Sequence, residues 1–297
     1  MKRFYTYVTA CFVGLVFSLG VPTLSQGKKP VPVKKAKKKA TKKVKSKKVK
    51  KKASKKAKAP AKRVLSKADK IIEKMLKATG GRKVHKAIKS MYAAGNSQLI
   101  LPNGARKAKL FQYMLKPHFQ RTEQHIGPMV VIMVFYAGGG WMSQNGVVIN
   151  LPKSMIEVAE SEKARMDLEL RYIKEGIKLK LKGSKKVRGK DCWELEFEDK
   201  KKRKTNYYID KKKNVLVQRV YVGPSPLGIG NVKFTVHMGD FRWVPVGKKG
   251  KGGKVLMPFK TEQWMRGSLM GTVQFKKVEL NGKKVKKRLF RKIRPVD

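Results

Sequence analysis

Apolar residues recur at helical spacing from Ala68 to Thr79, where Ala68, Ile71, Ile72, Met75, Leu76 and Thr79 fall on one face. Ser66 and Asp69 read as a capping box at the start of this segment and Gly80-Gly81 as its end, so the pattern predicts a helix with both termini marked. A second short amphipathic helix, with Val84, Ala87, Ile88 and Met91 inward, leads into Gly95. Beyond Gly95 the period becomes two. Strands are expected from Ser97 to Leu101, Lys107 to Leu115, Phe119 to His125, Met129 to Tyr136 and Trp141 to Leu151, with a hairpin turn at Pro102-Asn103-Gly104. Ser154 and Glu157 suggest another capping box, and Met155, Ala159, Met166, Leu170 and Ile173 the face of one longer helix ending near Gly176. Ile177 to Lys182 alternates strictly, and alternation continues through Trp193 to Glu198, Asn206 to Ile209, Val215 to Val222, Val232 to Phe241, Phe259 to Met265 and Val273 to Leu280. The sum is an α+β domain, a large antiparallel meander with about three helices.

The first 63 residues follow other rules. Lys2 and Arg3 precede an apolar stretch from Val8 to Val21, then Pro22 and small residues near Ser25 and Gly27, the order of a secretory signal peptide over residues 1–27. Residues 5–24 are also just long enough to span a bilayer, which leaves an inner-membrane anchor as the alternative. Residues 28–63 carry 20 lysines and arginines and no carboxylate, since the first acidic residue of the chain is Asp69. Such an arm has little to bury and repels itself, so it is expected to be disordered and extended. Its densest part holds Lys37, Lys38, Lys39, Lys42, Lys43, Lys47, Lys48, Lys50, Lys51 and Lys52. These suit polyanions in a salt-sensitive, sequence-blind way: an anionic membrane surface, lipopolysaccharide, a wall polymer or nucleic acid.

Composition extends the picture to the rest. The chain has 74 Lys+Arg against 19 Asp+Glu, a formal charge of +55, and roughly +33 remains once the arm and the first two basic residues are set aside. Of two cysteines, Cys11 falls in the signal, so the mature chain keeps Cys192 alone, in an alternating segment where it reads as a small strand residue. None of the four histidines has metal-ligand spacing and no Gly-x-Ser-x-Gly elbow occurs. The glycine-lysine run from Gly247 to Lys254 lacks a phosphate loop's spacing, and Glu194, Glu196 and Glu198 on one strand face suit neutralising lysines. No metal, cofactor or catalytic residue is expected, and no enzyme.

Several motifs fall in a familiar order. Ile71-Ile72-Glu73 through Ala78-Thr79-Gly80-Gly81 to Ile88-Lys89-Ser90, Lys116-Pro117 through Arg121-Thr122-Glu123, and Tyr136 through Gly140-Trp141 resemble the outer-membrane lipoprotein-sorting superfamily of Lol-type carriers. Gly189 through Leu195, Tyr207 to Asp210, Leu256-Met257-Pro258, Val278 to Gly282, Leu289-Phe290 and Pro295 continue the likeness over residues 64–297. Ala137 stands where the family has Asp, and Lys283 to Arg288 where it is usually acidic. The resemblance implies a curved, incomplete β-barrel whose concave face is covered by helices and receives acyl chains. It implies a monomeric periplasmic carrier of lipid or lipoprotein, with a polyanion-binding structural protein acting through residues 28–63 as the alternative. The expected lining is Leu110, Phe111, Met114, Met129, Val131, Met133, Phe135, Trp141 and Met142, large adaptable side chains suited to irregular lipid tails.

Overall fold

Ser66 caps the first helix as its sequence predicts: its Oγ accepts from the Asp69 amide at 3.1 Å while its own amide donates to the Asp69 carboxylate at 2.8 Å. The computed structural model describes residues 64–101, 104–226 and 228–292. The signal segment, the possible anchor at 5–24, the lysine-rich arm, the Pro102-Asn103 turn and Pro295 therefore lie outside the described residues. Helix α1 (Lys67–Ala78) buries Ala68, Ile71, Ile72, Met75 and Leu76. It ends at Gly80, where a Cβ would stand 2.3 Å from the Lys254 carbonyl oxygen, so that only glycine fits.

Helix α2 (Arg82–Ala87) is shorter than its pattern suggests, and β1 (Ser90–Leu101) begins seven residues before Ser97. A register shift at Ala94/Gly95 interrupts the alternation there and makes the first half of β1 look helical in sequence. A meander follows: β2 (Gly104–Leu115), β3 (Phe119–Ile126), β4 (Met129–Tyr136), β5 (Gly139–Gln144) and β6 (Val147–Asn150). The stretch from Trp141 to Leu151 is thus two strands, divided by Asn145-Gly146, whose φ values of 47° and 91° suit a tight hairpin.

The expected single helix from Ser154 to Gly176 is also two, α3 (Lys153–Arg165) and α4 (Leu168–Glu175). Pro152 rather than Ser154 stands at the N-cap position, and no side chain caps the helix. The break falls at Asp167, left-handed at φ 58°, and it turns Ile173 out to solvent. Among the described residues the α-helices number four, in keeping with the expectation of about three, because the third is divided in two. Strands β7 (Lys178–Val187), β8 (Lys190–Glu198), β9 (Lys204–Asp210), β10 (Leu216–Pro224), β11 (Asn231–Pro245), β12 (Lys254–Met265) and β13 (Ser268–Leu280) follow, with short 3-10 turns at Lys248–Gly250 and Lys287–Phe290.

All thirteen strands form one open, curled antiparallel sheet in the order β6-β5-β4-β3-β2-β1-β13-β12-β11-β10-β9-β8-β7. Two meanders are zipped together where β1 pairs with β13, and α3 and α4 carry the chain from one sheet edge to the other. The helices lie on the concave face. Helices α1 and α4 pack on β8 to β11 through Ile72, Leu76, Tyr172, Phe197, Tyr207 and Phe234, whereas α3 lays Met155 and Val158 on β4 and β5.

Candidate functional site

Cross-strand register decides which side chains share the concave face. Leu110 stands opposite Gln124, Gln124 opposite Val131, and Met133 opposite Met142. By the same pleat Met114, Met129 and Phe135 join them, so seven of the nine expected lining residues fall on this face. Phe111 and Trp141 are on the other one. Phe111 meets the His125 ring edge-on at 5.3 Å, and Trp141 is buried beneath Phe290, toward whose carbonyl its Nε1 points at 3.5 Å. The misplacement has a physical cause. The C-terminal turn Lys287–Phe290 covers the convex side of β3 and β4, so β4 is apolar on both faces, Trp141 of β5 is buried on the covered side, and the sequence does not reveal which face is which.

On the concave side, Val131, Met133, Phe135 and Met142 pack against Leu151, Met155 and Val158. The face is filled in this state by α3. Beside it, between the β2–β3 turn and α3, lies a mouth with about 450 Å³ of empty space, part of it open to solvent. Met114, Leu115, Phe119, Phe135, Ala159 and Met166 give it apolar walls, and Lys116, His118, Gln120, Glu160 and Lys163 supply its polar groups. Burial lowers the Lys116 pKa to about 8, with Asp167 opposing the shift, so the group still carries its charge near neutral pH. An apolar slot with cations at its entrance is chemically suited to an amphiphile with an anionic head.

The far half of the concave face is built differently. Arg219 on β10, 0 % exposed, pairs with Glu162 of α3 at 3.0 Å, and Tyr221 lies between the guanidinium groups of Arg219 and Arg165 at 4.9 and 4.8 Å. Burial alone would lower the Arg219 pKa, but Glu162 and the neighbouring tyrosines outweigh it and hold the group above its ordinary value. Arg165 donates to Ser161 and to the Val222 carbonyl, Tyr207 donates to Glu169 at 3.1 Å, and Tyr172 donates to Asp69 at 2.6 Å. Sequence reasoning missed this lattice. The available signal was Arg219 itself, an ionic residue inside the apolar run from Val215 to Val222.

The remaining candidates are structural. Tyr208 and Asn206 donate to Glu194, Lys204 lies 3.7 Å from Glu196 and Lys202 3.4 Å from Glu198, so these carboxylates neutralise cations and cap polar side chains. His125 lies 2.8 Å from Glu123. Cys192 is fully buried, and burial raises its thiol pKa. The glycine-lysine run closes the β11–β12 connection, with Val246 donating to Gly253 at 2.8 Å. Among the described residues no cluster of three or more His, Cys, Asp or Glu has the placement to hold a metal ion, and no helix is long and apolar enough to cross a membrane.

No family model matches the chain, and no curated protein matches it. Solved structures do. A putative outer-membrane lipoprotein-sorting protein domain from Vibrio parahaemolyticus is 10 % identical with a TM-score of 0.49, over 76 % of this chain and 96 % of that one. A LolA superfamily protein from Nitrosomonas europaea is 11 % identical with a TM-score of 0.48, over 77 % of this chain and 99 % of that one. A DUF1329 family protein from Desulfovibrio piger is 12 % identical with a TM-score of 0.47, over 75 % and 97 %. At these identities and scores the likeness carries no argument about ligand or activity.

Proposed function

We propose that this chain is an exported, non-enzymatic carrier whose concave face takes up the acyl chain of a lipid or lipoprotein in the periplasm. One observation carries the reading: a methionine-rich wall on β4 and β5 is roofed by a single helix, beside an apolar mouth edged by Lys116 and Lys163. Methionine repacks with little strain, so the wall can exchange contacts with α3 for contacts with a flexible tail. The strong positive charge of the whole chain favours an anionic donor or acceptor surface. Native mass spectrometry of the purified full-length chain, followed by lipid extraction, tests the reading. Co-purifying acyl lipid, or uptake from vesicles, is the expected result; a bare polypeptide that takes up no lipid contradicts it.

A second reading is favoured by one specific feature, the 20 cations without a carboxylate over residues 28–63. In it, the arm binds polyanions such as lipopolysaccharide, wall polymer or nucleic acid, and the folded part serves as an anchor. Deleting residues 28–63 separates the two. Lipid uptake survives the deletion in the carrier reading, and only salt-sensitive polyanion retention is lost.

A further inference from the structure

The concave face is not uniformly apolar. Strand β3 places Gln120, Thr122 and Gln124 on it, opposite Met114, Gln112 and Leu110 of β2 and opposite Phe135, Met133 and Val131 of β4. A file of uncharged hydrogen-bonding groups therefore runs inward from the mouth, where Gln120 stands, over about 13 Å of strand. Gln124, at its inner end, lies between two apolar clusters, is 0 % exposed, and has no hydrogen-bond partner among the described residues at either Oε1 or Nε2. Ser97, on the same face of β1 and 2 % exposed, likewise has no partner for its Oγ. Folds avoid leaving a buried primary amide unmatched at both ends unless something beyond the chain matches it. A plain hydrocarbon tail has nothing to offer this group. An acyl linkage does, since its carbonyl oxygen is an acceptor carried on an otherwise apolar chain.

We propose that Gln124 is a recognition site for acyl carbonyls, its Nε2 donating to an ester or amide oxygen of the ligand, so that the linkage and not only the tail is drawn into the concave face. This rests on the carrier reading and narrows it: the ligand class is the acyl ester or acyl amide, not the free hydrocarbon. Glyceryl diesters occur in both phospholipids and acylated proteins, so the two sources share the chemistry.

The test compares didecanoyl phosphatidylglycerol with its didecyl ether counterpart, which keeps chains and head but lacks the carbonyls, by titration of the full chain. The diester is expected to bind about tenfold tighter, the difference made by one hydrogen bond to a buried partner. In the near-isosteric Gln124→Met the preference should vanish while ether binding persists and the thermal midpoint does not fall. Gln124→Leu provides the same comparison should the first variant fold poorly. Equal binding of ester and ether by the unaltered protein in both the phosphatidylglycerol pair and a diacylglyceryl-cysteine peptide pair, or a preference that survives both substitutions, overturns the inference and leaves the carrier reading standing. Failure to bind either lipid removes the carrier reading itself. A diacylglyceryl-cysteine peptide assayed beside its ether analogue identifies the source: a preference confined to the peptide points to acylated protein, and one confined to phosphatidylglycerol points to membrane lipid.

Discussion

On β9 and β10 the concave face is tied to its helices by charge and aromatic rings: Arg219 to Glu162, Arg165 around Tyr221, and Tyr207 to Glu169. On β4 and β5 the same face, under the other end of the same helix α3, meets it through apolar side chains, Val131, Met133, Phe135 and Met142 against Met155 and Val158. The difference is one of reversibility. Pulling α3 off β10 separates the buried Arg219–Glu162 pair, whereas pulling it off β4 and β5 exposes only apolar surface, which a hydrocarbon tail can cover again. The ionic half is the fixed half and the methionine half is the one able to yield, so a ligand is expected to enter at the mouth beside Ala159 and Lys163 and to spread beneath Met155 and Val158, while the Arg219 and Arg165 contacts of α3 stay in place.

The sharpest way to break this contrast is Arg219→Ala. Losing one partner of a buried pair leaves Glu162 uncompensated and should lower unfolding free energy by about 3–5 kcal/mol in denaturant titration. Replacing both partners, Glu162→Leu with Arg219→Met, should recover most of that loss, and an equal loss in single and double variants would mean that the pair is not the anchor. On the other half, Met133→Ala should cost about 2–4 kcal/mol by leaving a cavity, and Met133→Leu less than about 1.5 kcal/mol. Both should change lipid uptake more than Arg219→Ala does, as measured by transfer from vesicles.

Acid and base sharpen the same comparison. His85, buried beside Thr79, has its pKa lowered by burial from 6.5 to about 4. The unfolded chain therefore binds the extra proton in that window, and stability should fall as pH drops from about 6.5 to 4, by about 2 kcal/mol after allowance for relaxation. His85→Gln should flatten that slope. Lys116 at the mouth has the same sign at alkaline pH: with its pKa lowered from 10.5 to about 8, stability should rise between about pH 8 and 10.5, and Lys116→Met should remove the rise. The smallest effect on stability is expected from deleting residues 28–63, under about 0.5 kcal/mol, with loss of salt-sensitive retention on anionic vesicles as its clear signature.

How far the sequence could be read follows from the same physics. Strands from β7 onward have one helix-covered face, so their alternation located them to within a few residues and the capping box at Ser66 marked α1. Where both faces are buried, in β4 and β5, the apolar run identified strands but not sides, and Trp141 was assigned to the wrong one; Phe111 on β2 was grouped with its neighbour Leu110, although consecutive strand residues face opposite sides. The helix break at Asp167 has only a weak local signal: Asp favours N-caps and tolerates left-handed backbone, but the helical spacing of Met166, Leu170 and Ile173 runs straight through it. The lattice itself depends on pairs such as Glu162 with Arg219, 57 residues apart, which periodicity cannot join. Gln124 was equally hidden, because a polar residue in the segment from Phe119 to Ile126 looks solvent-facing until register turns it inward.

The most direct test of the yielding half is photo-labelling with a fatty acyl chain carrying a diazirine near its end, followed by peptide mapping. Label, assigned to single residues by tandem mass spectrometry, is expected on Met129, Val131, Met133, Phe135, Met142 and the segment Met155 to Met166, with Phe111, Trp141 and the strands around Arg219 left clean. Label spread over the convex side, or concentrated around Arg219 and Tyr221, would contradict the account.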